Sequence, residues 1–474
     1  MAEALPVRDA PRVTSTVLWL RRDLRLRDHP ALLAAAEEAG GSGVLPLFVL
    51  DPALLGPAGP TRTAWLFRSL RAWSASADGA LVVRSGKPED VVRQVAREVG
   101  AEHVHVTADA GPYGRARDER VEEALAGDGV QLVRTGTPYA IGPGTVVKGD
   151  GAPFQVFTPF SRAWTAHGHP EPAASPPQDL RWVRRVEGEE VPDDPEELMR
   201  GDLTLPDVGE EAALRRWEAF QERLDDYDTD RERPDRDGTS QLSAHLKYGE
   251  VHPRTLLADL AASRHGATKG GQTFRTELVW REFYADVLWH RPDSAREYYR
   301  PQLAGMRFDS PARGDGKAHL EAWQEGRTGF PFVDAGMRQL RTEGWVHNRV
   351  RMVVASFLVK DLHLEWQHGA RYFMRWLRDG DLSSNNHGWQ WTAGSGTDAA
   401  PFFRVFNPVS QGEKFDPDGE YVRRYVPELR HLAGKAAHSP WDHAGGYDHG
   451  YPERIVDHRA EREEALARYA AVRS

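Results

Sequence analysis

Five short β-prone runs alternate with four amphipathic helical runs between residues 16 and 140, and no other feature limits the fold as much. The β-prone runs are Thr16–Leu20, Val44–Leu50, Ala80–Arg84, His103–Thr107 and Val130–Arg134. Between them, His29–Ala39, Thr61–Ser76, Pro88–Val99 and Arg115–Ala126 carry helical apolar spacing. Alternation at this rhythm implies a parallel sheet with right-handed crossovers. Val44–Leu50 is apolar almost throughout, as a strand covered on both faces should be. Ligands of such sheets sit beyond the carboxyl ends of the strands. The first strand leads into Arg21-Arg22-Asp23-Leu24-Arg25 and not into Gly-x-Gly-x-x-Gly, so no nicotinamide dinucleotide site is expected there.

The pattern then changes. Residues 141 to 205 are rich in Pro, Gly and acids and read as a long surface connector. From 206 onward the periodicity is helical, in Gly209–Tyr227, Thr273–His290, Ala318–Glu325, Pro331–Thr342, His347–His368 and Ala370–Leu377. The expected architecture is an α/β domain over 13–140, a linker over 141–205 and an all-α domain over 206–474. Most of the fifteen Trp fall in the last. With no cysteine, disulfides, thiolate metal sites and cysteine nucleophiles are excluded. Neither a spanning apolar run nor a signal peptide is visible, so a cytoplasmic chain without membrane attachment is expected. The net charge of −10 argues against non-specific phosphate attraction, so a nucleic-acid enzyme would need a local cluster of Arg and Lys.

Four stretches could carry chemistry. Asp379-Gly380-Asp381-Leu382-Ser383-Ser384-Asn385-Asn386-His387-Gly388-Trp389-Gln390-Trp391, followed by Thr397-Asp398-Ala399-Ala400-Pro401 and Phe403-Arg404, is poor helix material and suits a loop lining a polar, aromatic cavity. Its Asp-x-Asp-x-x-x-Asn spacing could ligate calcium, but no Glu closes the loop. In Trp345-Val346-His347-Asn348-Arg349-Val350-Arg351-Met352, polar residues enter an apolar helix and need partners, such as a cofactor phosphate. Glu277 and Arg281 stand at i and i+4 beside Trp280, which alone is an ordinary surface pair. Gly238-Thr239-Ser240-Gln241-Leu242-Ser243 could cap a helix or bind phosphate at its N-terminus.

In this order and spacing, with Leu18-Trp19-Leu20-Arg21-Arg22-Asp23, Thr158-Pro159-Phe160-Ser161-Arg162-Ala163-Trp164, Trp323-Gln324-Glu325-Gly326 and Gly412-Glu413-Lys414-Phe415-Asp416, the stretches resemble the photolyase/cryptochrome family across nearly the whole chain, most of all the bacterial class I cyclobutane pyrimidine dimer photolyases. The resemblance implies FAD folded inside the helical domain. Tyr227 and Thr239, Ser240, Gln241, Leu242 and Ser243 would hold phosphates and ribitol. Phe274, Arg281, Asn348, Arg351, Asp379, Asp381 and Asn385 would line the flavin and its adenine, with Asn385 facing flavin N5. Glu277, Trp280, Asn348, Met352 and Trp391 would form the pocket for a flipped-out dimer, and Arg231, Arg349, Arg404 and Lys414 would meet DNA phosphates. Trp389 and Trp366 match electron-relay tryptophans, with Phe308 at the third place. Arg22, Asp109, Tyr113 and Gly114 would hold an antenna, 8-hydroxy-deazaflavin being favoured over methenyltetrahydrofolate or an empty site.

The activity implied is light-driven repair of cyclobutane pyrimidine dimers in UV-damaged DNA by a monomeric enzyme that needs no metal. Asn385, where signalling relatives often carry Asp or Cys, and Asn348 with Met352, where enzymes of (6-4) lesions carry a histidine pair, favour this activity. The alternatives are a cryptochrome-type photoreceptor without repair, a generic flavin oxidoreductase, for which no donor site is visible, and a DNA-binding module, which the net charge disfavours.

Overall fold

A strand buried on both faces must be sandwiched, and the N-terminal sheet is. The computed structural model describes residues 15–199, 203–398 and 403–472; Ala399, Ala400 and Pro401 of the long motif lie outside them. Strands β1 (Thr16–Leu20), β2 (Val44–Leu50), β3 (Val82–Ser85), β4 (His103–Val106) and β5 (Gln131–Arg134) form one parallel sheet in the order β3-β2-β1-β4-β5. Alternate side chains go to opposite faces. Val17, Trp19, Leu45 and Leu47 join one core, and Leu18, Leu20, Val44 and Phe48 join the other. Helices α1 (Pro30–Ala39) and α2 (Pro60–Ser76) supply the second core, while α3 (Pro88–Val99) and α4 (Pro112–Ala126) supply the first. The strand order reverses beside β1, so the crevice at a topological switch point opens where β1 and β4 end, at Arg21-Arg22 and Thr107–Asp109.

The connector is more than a surface loop. It forms α5 (Phe157–His167), whose Trp164 Nε1 donates to Glu282 Oε2 at 2.8 Å. Further on, Trp182 bridges to Val44 and packs edge-on against Trp73, extending the sheet domain's core. Its aromatic residues override the Pro-rich composition.

The remaining helices of eight residues or more are α6 (Glu210–Gln221), α7 (Pro253–Ala262), α8 (Lys269–His290), α9 (Gly314–Glu325), α10 (Pro331–Glu343), α11 (Asn348–Ser356), α12 (Trp366–Trp376), α13 (Leu382–Ala393), α14 (Pro408–Phe415) and α15 (His458–Ala471). Three sequence expectations fail here. The predicted helix over 209–227 is shorter, because α6 stops at Gln221, six residues short of Tyr227, before a 3-10 turn at Leu224–Asp226. The predicted single helix over 347–368 is broken: α11 passes into a π-turn at Phe357–Asp361, and His363 takes a positive φ of 51° before α12 begins. Apolar side chains run through the break without a gap, so periodicity alone could not show it. The predicted loop after Asp381 is helix α13, because the Asp381 side chain accepts from the Ser383 and Ser384 N–H groups and starts the helix. Among the described residues no helix is long and apolar enough to cross a membrane.

Candidate functional site

Two aspartates two positions apart serve different ends. Asp381, the cap of α13, also accepts from Arg22 Nη2 at 2.7 Å, which ties the end of β1 to the helical domain. Burial disfavours its charge, but Arg22 and Arg281 hold its carboxyl well below the usual range. Desolvation works against the charge of half-buried Arg22 as well, yet Tyr139, Asp381 and Asp109 raise its pKa above the ordinary arginine value. Asp379 turns the other way. Its Oδ2 accepts from Arg351 Nη2 at 2.8 Å and Ser243 Oγ at 2.7 Å, while its Oδ1 is buried with no hydrogen-bond partner.

Around Asp379 the cations outnumber the acids. Arg378 donates from Nη2 to Gln241 Oε1 at 2.8 Å and keeps a buried Nε without a partner. Burial pushes its pKa down to about 10. Arg216 Nε donates to the Ser240 carbonyl at 2.6 Å. Burial, with Arg62 and Arg22 nearby, pushes Lys247 down to about 7. Gln241 holds a left-handed φ of 49°, a strained geometry for a non-glycine residue that aims its amide at Arg378. Leu242 is buried core, Thr239 and Ser240 are half-buried, and Ser243, Asn348 and Leu382 are exposed although their elements are packed on the other side. These exposed groups and bare buried atoms outline the place a polar ligand would fill. Its donors (hydroxyls and arginines) and its one spare carboxylate acceptor oxygen fit a hydroxyl-rich cofactor bearing phosphates.

Arg281 does not extend that set. It donates to the Pro138 and Leu246 carbonyls and lies 4.4 Å over the Tyr139 ring, at the seam between the domains. Tyr227 and Phe274 belong to an aromatic core: their rings meet edge-on at 5.8 Å, and Phe274 stacks on Trp217 at 5.0 Å. Asn385 commits its amide nitrogen to the fold, donating to the Ala370 carbonyl at 3.2 Å and to Asn386 Oδ1 at 2.8 Å. It can therefore only accept from a ligand.

On α8, Glu277 and Trp280 share a face. Arg231 Nη1 lies 2.6 Å from Glu277 Oε1. Burial pushes the Glu277 carboxyl up, and Arg231 pulls against it. One face of the Trp280 indole is stacked on Phe157, with ring centroids 3.6 Å apart and planes within 5°. Helix α11 joins this rim to the cofactor place. Its Arg351 reaches Asp379, while its Arg349 donates from Nε to Glu232 Oε2 at 2.7 Å and from Nη1 to Met352 Sδ at 3.6 Å. Arg349 and Lys414 both lie over the Phe415 ring, at 4.5 and 5.0 Å. Trp391 and Arg404 line a small cavity of about 30 Å³ with Lys360, Phe403 and Tyr469.

Trp389 packs edge-on against Trp323 at 6.0 Å, and Trp366 against Tyr298 at 6.2 Å. Tyr298 lies 6.4 Å from half-buried Phe308, and its hydroxyl donates to Glu365. At the strand ends, Arg117 binds Asp109 and Asp118, and Tyr113 donates to Asp51. A Cβ on Gly114 would lie 2.1 Å from the Asp109 carboxylate, so a larger residue there would have to push that side chain aside. Sequence reasoning missed Phe157, Glu232, Arg378, Arg216 and Tyr139. Phe157 adjoined a motif already noted; the others act only through distant partners.

The comparisons agree with this geometry. A sequence profile described as the FAD binding domain of DNA photolyase matches residues 274–471, and one described as DNA photolyase matches residues 16–178. The deoxyribodipyrimidine photo-lyase of Agrobacterium fabrum is 39% identical over 98% of this chain and 99% of its own length. That of Escherichia coli is 39% identical over 97% and 99%. A crystal structure of a bacterial class III photolyase from Agrobacterium tumefaciens superposes with a TM-score of 0.88 at 37% identity, covering 98% of this chain and 99% of that one. Fold, site and near-complete alignment lead to one conclusion: the chain is a flavoprotein of the photolyase/cryptochrome family, with FAD as its cofactor.

Proposed function

We propose that this enzyme repairs cyclobutane pyrimidine dimers in UV-damaged DNA, with light as the energy source. One observation carries the reading. Helix α11 presents Arg351 to the cofactor place and Arg349 to the rim two residues away, so a lesion entering past the rim arrives against the cofactor. When bound and reduced, the flavin supplies an electron on absorbing light and takes it back once the two ring bonds of the dimer have opened.

The chain's own groups do the rest. Asp379 fixes Arg351, whose positive charge favours an anionic flavin. Asn385, left with acceptor capacity only, suits a flavin carrying N–H at the facing position. Trp280, held flat by Phe157, and Trp391 would wall the dimer, with stacking worth about 1–3 kcal/mol per base. That offsets the few kcal/mol needed to evert a damaged pair, which is already poorly stacked. Glu277 would hydrogen-bond a pyrimidine carbonyl, and its raised pKa favours the protonated donor form. Arg231, Arg349, Arg404 and Lys414 would take the flanking phosphates. Asn348 and Met352, in place of a histidine pair, favour the cyclobutane lesion over the (6-4) product, and Asn385 favours repair over signalling.

At the strand ends we assign the crevice by Arg22, Asp109, Tyr113 and Gly114 to an antenna of the 8-hydroxy-deazaflavin type. A glutamate at this place, as in folate-binding relatives, would have to displace the Asp109 side chain. The test is an absorption spectrum of the purified protein, then blue light on an oligonucleotide bearing one thymine dimer. Flavin bands and restored thymines are expected. A flavin that photoreduces while the dimer persists would make this a photoreceptor, and a second, longer-wavelength band is the mark of the antenna.

A further inference from the structure

The rim arginines are already occupied. Arg231 Nη1 is 2.6 Å from Glu277 Oε1 and its Nε 3.9 Å from Glu232 Oε1, and Arg349 Nε is 2.7 Å from Glu232 Oε2. Charges therefore alternate along the rim as Glu277, Arg231, Glu232, Arg349. All four side chains are half-buried, between 20 and 32% exposed. A carboxylate offers an arginine fork the same acceptors and sign as a phosphate.

We propose that Glu277 and Glu232 stand in for DNA phosphates in the free protein, and that damaged DNA displaces Glu277 from Arg231 and leaves it to take up a proton. The inference rests on the repair reading above. Arginine cannot give up its charge, so a phosphate competes directly for the guanidinium. The carboxylate left behind is the group that must adjust. It is faced by Arg231 and Glu232 from the segment after the turn at Tyr227–Asp230, by Tyr227 in that turn, and by Tyr284 on its own helix. Of these only Arg231 favours the ionised form. Burial and Glu232 both push the carboxyl up, and a DNA strand across the rim adds more negative charge and less water. The proton comes from solvent, and no other bond changes. Lesion binding thus produces the neutral acid that can donate to a pyrimidine carbonyl. It also accounts for DNA recognition by a chain of net charge −10, since displacing the acids frees further positive charge at the rim.

The flavin-loaded full chain is titrated in the dark with a thymine-dimer oligonucleotide and its undamaged twin. Calorimetry is run in two buffers of unequal ionisation enthalpy, from pH 6 to 8.5. Where Glu277 is ionised in the free protein, uptake should approach one proton per dimer bound, with affinity falling up to about tenfold per pH unit. Glu277→Gln, never charged, should take up none, bind with a flat pH profile and hold undamaged DNA severalfold more tightly. Arg231→Gln should also lose the proton uptake, because Glu277 is then neutral beforehand, and its salt slope should fall by about 1. Retained flavin absorbance shows that each variant is folded. Equal proton uptake in wild type and Glu277→Gln, or dimer-selective binding without uptake, overturns the exchange. No preference for the dimer at all overturns the repair reading instead.

Discussion

At Asp379 one carboxylate oxygen serves Arg351 and Ser243 while the other waits inside the protein without a donor. Such an oxygen is costly to bury, and a ligand that donates to it recovers the cost. Asp379→Asn removes the charge that fixes Arg351, whose side chain is 26% exposed, so solvent screens part of the loss. We expect about 1–2 kcal/mol less stability. Flavin occupancy should fall severalfold, read from the ratio of visible to ultraviolet absorbance. Unchanged occupancy would remove Asp379 from the cofactor site. Phe308 poses a different question. Its ring is too hard to oxidise to end an electron relay, whereas Tyr298, edge-on to Trp366 and hydrogen-bonded to Glu365, has both the ring and a proton acceptor at hand.

Helix α11 begins at an unusual cap, His347, whose Nδ1 accepts from the Arg349 N–H at 3.2 Å. Only an unprotonated Nδ1 can accept. Burial, with Arg349, Arg351 and Arg231 nearby, pushes the His347 pKa down to about 3, so the cap survives mild acid. His347→Ala should cost about 1 kcal/mol and loosen the Arg349 and Arg351 backbone, whereas His347→Asn should keep most of the stability. Thermal unfolding compares the two, and equal losses would dismiss the cap.

Helices and strands whose identity is local were legible in the sequence. All five strands lie within two residues of their expected limits, because alternation and β-branching act along the chain. Helix α13 was not legible, since one aspartate side chain outweighs a run of weak helix formers. The break after α11 stayed hidden under continuous apolar residues. Site residues stood out where they cluster, as at 379–391 and 347–352. Arg22 with Asp381 and Arg349 with Glu232 join partners 359 and 117 residues apart, and no periodicity encodes those pairings.

Across the whole molecule, His29, His347 and His387 are buried and held neutral, with burial pushing their pKa values down to about 4, 3 and 4. The unfolded chain protonates its histidines near pH 6.5. Protons therefore favour the unfolded state as pH falls from about 6.5 toward 4, and these three groups cost nothing above that window. Each group can contribute up to about 1.4 kcal/mol per pH unit there. Melting temperature should drop between pH 6 and 4.5, and the His29, His347 and His387 share of that drop should vanish above pH 7. A flat profile through the acid range would show that the three are not kept neutral together.

At two points the seam between the domains brings backbone against backbone. A Cβ on Gly59, at the start of α2, would sit 1.6 Å from the Arg375 carbonyl oxygen of α12, and one on Gly249 would sit 1.9 Å from that of Arg22. With main chain against main chain at these two points, and Arg22, Arg25 and Arg62 hydrogen-bonded across the same seam, the two halves cannot slide or hinge cheaply. The molecule then behaves as a ruler. Any pigment lodged at the strand ends and the flavin in the helical half would keep one spacing and one mutual angle, so excitation passed between them should be as efficient in viscous, chilled solvent as in water.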